Sequence, residues 1–377
     1  MHPDTLSVHA GNTDDLIGSV VPPINLSTTF ERDEAGTIGG KGFIYSRMDN
    51  PNRRALETKL ALLEGGAEAF AFPSGNSAAL AVAEAVLEPG MHLIMPDDCY
   101  HGIAAMIKNM LSRWKISHTE ADMTDPQNVE KAIQKNTRLI LLETPSNPML
   151  KITDIQAIGN IAKAHGILLA CDNTWTTPLI QRPLELGVDL VFHSSTKFFG
   201  GHSDILGGVV IVKEKNEIAR RLREFQVSGG VVPSPFDCWL LNRSLATLSL
   251  RLDRQVQNAL AIVDYLKTDP HIEKIYYPGL PDHPNHAIAK KQMNGKFGSM
   301  ISIQVKGGEK ESMRFAGSMK IFKHATSLGG VESLIEHRRT AEGMAPKSPD
   351  NLLRLSIGVE YIDDLIADLK NGFRPGK

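Results

Sequence analysis

Cysteine is scarce in this 377-residue chain: Cys99, Cys171 and Cys238 stand far apart, and none belongs to a Cys-x-x-Cys pair. Three such residues build neither a disulfide framework nor a zinc knuckle, and they fit a reducing compartment. Charge of one sign is also lacking, because 41 Lys and Arg meet 43 Asp and Glu for a net charge of −2. Without a basic face, nucleic acid and anionic membrane are poor partners. No apolar run approaches the ~18 residues of a membrane span, and Met1–Thr5 opens no basic-then-apolar leader, so a cytoplasmic location is expected. No Gly-x-Gly-x-x-Gly follows an early strand and there is no Gly-x-Ser-x-Gly elbow, which counts against dinucleotide and hydrolase sites. His283 and His286 lack a third ligand at matching spacing, so no metal is expected. What remains is a folded protein with a small-molecule ligand.

Hydrophobic residues make up 42% and charged residues 22%, a globular balance with length for a large domain and a smaller companion. The first fifty residues, rich in Gly, Pro, Ser and Thr, read as an extended arm. From Arg53, Leu56, Leu60 and Leu63 share one helical face that Gly65-Gly66 stops. Short apolar runs then alternate with helical patterns. Leu93–Met95, Leu139–Leu142, Ile167–Ala170, Leu190–Phe192 and Val209–Val212 read as buried strands. Ile152, Ile155, Ile158 and Ile161 form a helix stripe opened by a Thr153-x-x-Gln156 capping box and closed at Gly166. This is an α/β pattern with a mainly parallel sheet. In such sheets ligands bind outside the carboxyl ends of the strands, which directs notice to Glu143, Asp172 and Ser194–Lys197. A long helical stretch spans Leu240 to Leu266, and strand-like runs such as Met300–Val305 with helices follow, predicting a smaller α/β C-terminal domain.

The strongest local signal is His193-Ser194-Ser195-Thr196-Lys197, followed by Gly200-Gly201. A lysine closing a buried strand among hydroxyls suits imine chemistry with a phosphorylated aldehyde, the hydroxyls taking the phosphate; the same tetrapeptide also fits an exposed loop lysine. Ser74-Gly75-Asn76-Ser77 precedes a helical pattern, and its N–H groups either receive a phosphate or merely cap the helix. Asp172 either pairs with a protonated pyridine nitrogen or caps a turn. Tyr100 either stacks on a flat cofactor or simply packs.

Taken with Tyr45-Ser46-Arg47-x-x-Asn50-Pro51, Glu143-Thr144-Pro145-Ser146-Asn147-Pro148, Asp172-Asn173-Thr174, Gly201-His202-Ser203-Asp204, Ser327–Ser333 and Leu353-Arg354-Leu355-Ser356, these segments resemble the Cys/Met-metabolism (trans-sulfuration) family of pyridoxal-phosphate-dependent enzymes. The resemblance covers essentially the whole chain. It implies an aspartate-aminotransferase-like, fold type I transferase architecture: an arm over 1–52 that serves the neighbouring subunit, a cofactor-binding large domain over 53–243 and a C-terminal domain over 244–377. It implies pyridoxal 5'-phosphate bound through Lys197, which later moves protons. Asp172 would hold the ring nitrogen, Thr174 would also bind the cofactor, and Tyr100 would stack on the ring face and act as an acid. Gly75, Asn76, Ser194 and Thr196 would hold the phosphate, with Tyr45 and Arg47 arriving from a partner in a homotetramer. Arg354 would clamp the α-carboxylate of an amino-acid substrate, helped by Asn147 and Ser327, with Glu332 and His101 also facing substrate.

The activity implied is γ-replacement on an activated homoserine, as in cystathionine γ-synthase. γ-Elimination, sulfhydrylation of O-acetylhomoserine and a catalytically retired scaffold are the alternatives. His101 stands where the family has Gly, Ile44 where it often has an acidic or polar residue, and Arg338-Arg339 where it has small residues. The two arginines either accept an acidic substituent or lie in a solvated loop.

Overall fold

The computed structural model describes residues 1–11, 18–36, 38, 42–342 and 347–373. Seven strands form a large sheet: β1 (Glu68–Phe72), β2 (His92–Pro96), β3 (Ser117–Ala121), β4 (Thr137–Glu143), β5 (Leu168–Asp172), β6 (Leu190–His193) and β7 (Gly208–Val212). Their order is β1-β7-β6-β5-β4-β2-β3. β7 runs antiparallel to both its neighbours and the other pairs are parallel, so six carboxyl ends share one edge of the sheet. The central strands are buried on both faces, as their uninterrupted Val, Ile, Leu and Phe runs require.

Helices cover both faces. Pro51–Glu64 starts where Asn50 accepts the Asn52 N–H and Pro51 supplies a preset φ, and it stops at Gly65 in the left-handed region (φ +77°). Gly75–Val86 buries Ala78, Ala79, Ala81, Ala83 and Ala85, whose small side chains let the helix axis come close to the sheet. The isoleucine-striped helix is Ile155–His165. Its cap is Asp154, whose Oδ1 accepts the Ala157 N–H at 2.9 Å, rather than the Thr153 of the expected capping box. The Thr153 N–H is taken by Thr144 Oγ1 at 3.0 Å, so that residue ties two loops together.

A second sheet holds β8 (Ile272–Tyr276), β9 (Met300–Val305), β10 (Lys323–His324), β11 (Leu334–His337) and β12 (Leu352–Ser356) in the order β10-β11-β12-β9-β8. The long helical stretch is broken into Pro235–Leu245 and Leu248–Leu266. The latter spans two cores: Leu248, Leu252 and Val256 pack with the large sheet, and Ala259, Ile262, Val263 and Leu266 with the small one. Ser302 on β9 donates to Pro148 O at 2.7 Å, which seats the small sheet against the loop following β4. In the arm a short helix, Pro3–His9, is fixed by buried Lys59, whose Nζ donates to Ser7 O at 2.9 Å. Among the described residues no helix is long and apolar enough to cross a membrane.

Candidate active site

After β6 the chain turns through Ser194–Thr196 to Lys197, with the Lys197 N–H on Ser194 O at 3.2 Å and the Gly200 N–H on Ser195 O at 2.8 Å. Lys197 Nζ donates to Ser327 Oγ at 2.9 Å. Burial first, and then the Arg354 guanidinium, lowers this amine from 10.5 to about 8 against the pull of Glu336. It is therefore available as a neutral nucleophile and base near neutral pH. Ser327 has φ +98°, a left-handed conformation that costs energy in a non-glycine residue. That turn lets one residue serve two others, its hydroxyl on Lys197 and its carbonyl on Arg354 Nη2 at 3.0 Å.

Asp172 closes β5 directly beside Glu143 of β4. Its Oδ1 accepts the Thr174 N–H at 2.9 Å, and Thr174 Oγ1 accepts the Ser194 N–H at 2.9 Å, so the acid and the lysine loop share one anchor. Burial raises the Asp172 carboxyl even though the Thr174 hydrogen bonds and then His193 lower it, so a cation facing it would favour its ionised form. Glu143, 5% exposed, is raised by burial and then by Asp172. Its Oε2 accepts the Tyr100 N–H at 2.7 Å and pins the tyrosine. The Tyr100 ring lies against Gly102, where an added Cβ would stand 2.5 Å from Tyr100 Cε1, which accounts for glycine at that position. His101 sits 4.6 Å from the Tyr100 ring, centroid to centroid, and its imidazole is pushed down by burial and by Arg338.

The start of the helix Gly75–Val86 meets the lysine loop. Ser74 caps it by accepting the Ser77 N–H at 3.0 Å, and a Cβ on Gly75 would stand 2.8 Å from Ser194 Cβ. Free helix-start N–H groups and the Ser194 hydroxyl, which makes no hydrogen bond among the described residues, form an anion cradle there. Thr196 contributes differently: its hydroxyl donates to Gly207 O at 3.2 Å and accepts the Gly207 N–H at 3.0 Å, holding the loop. Asn76 Nδ2 donates to Gly102 O at 3.3 Å, joining the cradle to the tyrosine segment. An anion cradle, a buried acid, a ring platform and a low-pKa lysine together fit a phosphorylated pyridine aldehyde. Gly75→Ala is expected to weaken cofactor retention about tenfold through that steric contact, with equilibrium dialysis of the cofactor as the measurement and unchanged retention as the contrary result.

Arg354, on β12, donates from Nη1 to Asn147 Oδ1 at 3.1 Å and lies 2.6 Å from Glu336 Oε2. Burial lowers it to about 10 against the pull of Glu336, so it remains a cation at neutral pH. The site thus joins Lys197, Ser327, Arg354 and Asn147 in one chain of contacts. Glu332 lies outside that chain, with its Oε1 accepting from the Ser203 hydroxyl. Tyr45 and Arg47 also stand apart from it. Tyr45 is 43% exposed, and Arg47 Nη1 donates to Val227 O at 2.6 Å. Arg338 is buried and Arg339 exposed, so neither reading of the pair holds for both. Sequence reasoning missed Glu336, whose only signal was an acid following the apolar pair Leu334-Ile335. It also missed the buried pair of His193 Nε2 and Glu64 Oε2 at 2.8 Å, beneath the lysine loop.

Residues 4–374 match the family model for the Cys/Met metabolism PLP-dependent enzymes. The chain is 42% identical over 372 residues to a cystathionine gamma-synthase of Mycobacterium leprae, covering 97% of this chain and 95% of that one. It is also 42% identical over 379 residues to a cystathionine beta-lyase of Coxiella burnetii, covering 98% and 97%. A solved cystathionine gamma-lyase from Lactobacillus plantarum, complexed with L-serine, superposes with a TM-score of 0.94 at 41% identity, covering 99% of this chain and 98% of that one. Equal likeness to proteins named for different reactions leaves the choice of reaction to the site.

Proposed function

The chain belongs to the Cys/Met-metabolism family of pyridoxal-phosphate-dependent enzymes, which form or cleave carbon–sulfur bonds, and from that membership we propose that it catalyses γ-replacement on an activated homoserine, with cysteine as the incoming thiol. Pyridoxal phosphate, when bound, supplies an electron sink that makes the α-proton of an amino acid acidic. Arg354 takes the substrate carboxylate through its planar donor edge, with Asn147 and Ser327 fixing the angle of the guanidinium. Lys197 Nζ would remove the α-proton and, only after handing that proton on, a β-proton, its lowered pKa raising the fraction of neutral amine available for the purpose. Tyr100 protonates the departing γ-substituent. Asp172 stays ionised once a protonated ring nitrogen faces it, and Gly75, Asn76 and Ser194 hold the phosphate.

The observation that supports a reaction joining or separating two amino-acid units is room for the second of them beside Arg354 and Lys197. A cavity of about 640 Å³ shares His101 and Asn147 with the site, and its walls set Asp98, Glu120 and Glu342 against Lys108, Lys347 and Arg338. Such a lining suits a zwitterionic amino-acid group, which is the incoming cysteine in a replacement and the distal half of cystathionine in its elimination. Tyr45 and Arg47 are proposed to complete the site of a second subunit, making a dimer the smallest active unit and a homotetramer the expected assembly. The unpaired cysteines fit a cytoplasmic setting. The test is product analysis after incubating the holoenzyme with O-succinylhomoserine and cysteine: cystathionine is the expected product. A 2-oxo acid and ammonia formed at the same rate with and without cysteine would instead favour elimination.

A further inference from the structure

Arg338 follows β11 and is as deeply buried as the arginine assigned to the substrate. Its Nη1 and Arg354 Nη2 each lie 2.6 Å from the same atom, Glu336 Oε2, and the side chains of all three residues are only 4–6% exposed. Other partners of Arg338 are weak. Its Nη2 is 3.9 Å from Glu342 Oε1, because Glu342 is engaged by the Lys347 N–H at 2.8 Å, the Ser348 N–H at 3.0 Å and the Ser348 hydroxyl. Its Nε has no partner among the described residues. The position of Arg338 is therefore set by the carboxylate it shares with Arg354.

That carboxylate occupies part of the donor edge that a substrate carboxylate needs. Glu336 is a built-in rival for Arg354, and two guanidiniums against one carboxylate leave a net +1 on the cluster; without Arg338 the count is zero. We propose that Arg338 is a positioning residue that divides Glu336 between two guanidiniums and so keeps Arg354 open and positive for the α-carboxylate of the substrate. The proposal rests on the reading of Arg354 as the α-carboxylate site.

The test titrates the holoenzyme with L-norleucine, an unreactive amino acid, and with pentylamine, the same molecule without its carboxylate, following the visible absorbance. The wild type is expected to prefer L-norleucine. Arg338→Met is expected to weaken L-norleucine binding about tenfold, the worth of one charge-assisted hydrogen bond, and to leave pentylamine unchanged. Arg338→Lys should recover most of the loss. Adding Glu336→Gln to Arg338→Met should also recover it, since the rival is gone. Should Arg338→Met fail to fold, Arg338→Gln carries the same comparison. Unchanged L-norleucine binding in the neutral variants, or equal loss of both ligands, would overturn the proposal while leaving Arg354 in its role. A wild type that binds both ligands equally would overturn the Arg354 reading and the proposal with it.

Discussion

Lys197→Ala is expected to remove the visible absorbance of the holoenzyme and to lower turnover by about a thousandfold or more, since the amine is proposed both to hold the cofactor and to move the protons. The environment of the amine makes the loss specific. Burial and the Arg354 guanidinium both disfavour its protonated form, bringing it to about 8. Only the neutral amine adds to an aldehyde, and its fraction grows as pH rises through that value. Uptake of pyridoxal phosphate by apoprotein should therefore quicken with pH and level off above about 8, well below the midpoint of an ordinary lysine. In Arg354→Gln the midpoint should move upward, because a charge that repels the lysine proton is gone. A wild-type midpoint near the ordinary lysine value, or Lys197→Ala protein with intact colour, would contradict this.

Arg354→Ala has the second large effect: KM for the amino-acid substrate rises about a hundredfold, the cost of removing one partner from a buried, charge-paired contact, while kcat changes less. The protein should still fold, because Glu336 keeps Arg338 at 2.6 Å and so is not left as an unpaired buried charge. Asn147 touches the guanidinium through its side chain from the large domain and Ser327 through its backbone carbonyl from the loop before β11, so substitution of Asn147 changes the angle of the guanidinium rather than removing it. Steady-state kinetics decide the matter. An unchanged KM would move the carboxylate site elsewhere.

Much of this was legible because chemistry and fold put their signals in the same places. Buried strands announce themselves as Val, Ile and Leu runs, and the functional side chains follow where those runs end: Asp172 after β5, Ser194 to Lys197 after β6. Ser74-Gly75 was readable as a helix start because a capping hydroxyl, a glycine and an alanine-rich stripe occur in that order. What stayed hidden depended on partners far along the chain. β3, Ser-His-Thr-Glu-Ala, is an edge strand with only β2 beside it, so it needs no apolar run. The cap of the isoleucine helix is Asp154, one residue later than the pattern placed it, with the Thr153 N–H held by Thr144 Oγ1, 9 residues away. The long helical stretch breaks between Leu245 and Leu248 although its apolar spacing continues: Leu241 and Leu245 before the break and Leu248, Leu252 and Val256 after it pack in one core, and the change to the small-sheet core comes only at Ala259. Glu336 reads as an ordinary polar residue after Leu334-Ile335 until Arg354 is placed opposite it on β12.

The most direct measurement is the product formed by holoenzyme of known visible absorbance when O-succinylhomoserine and cysteine are supplied together, compared with cystathionine supplied alone. The account predicts cystathionine from the pair, formed faster than any 2-oxo acid, and loss of both the absorbance and the product in Lys197→Ala. Rapid breakdown of cystathionine with no synthesis from the pair would contradict it.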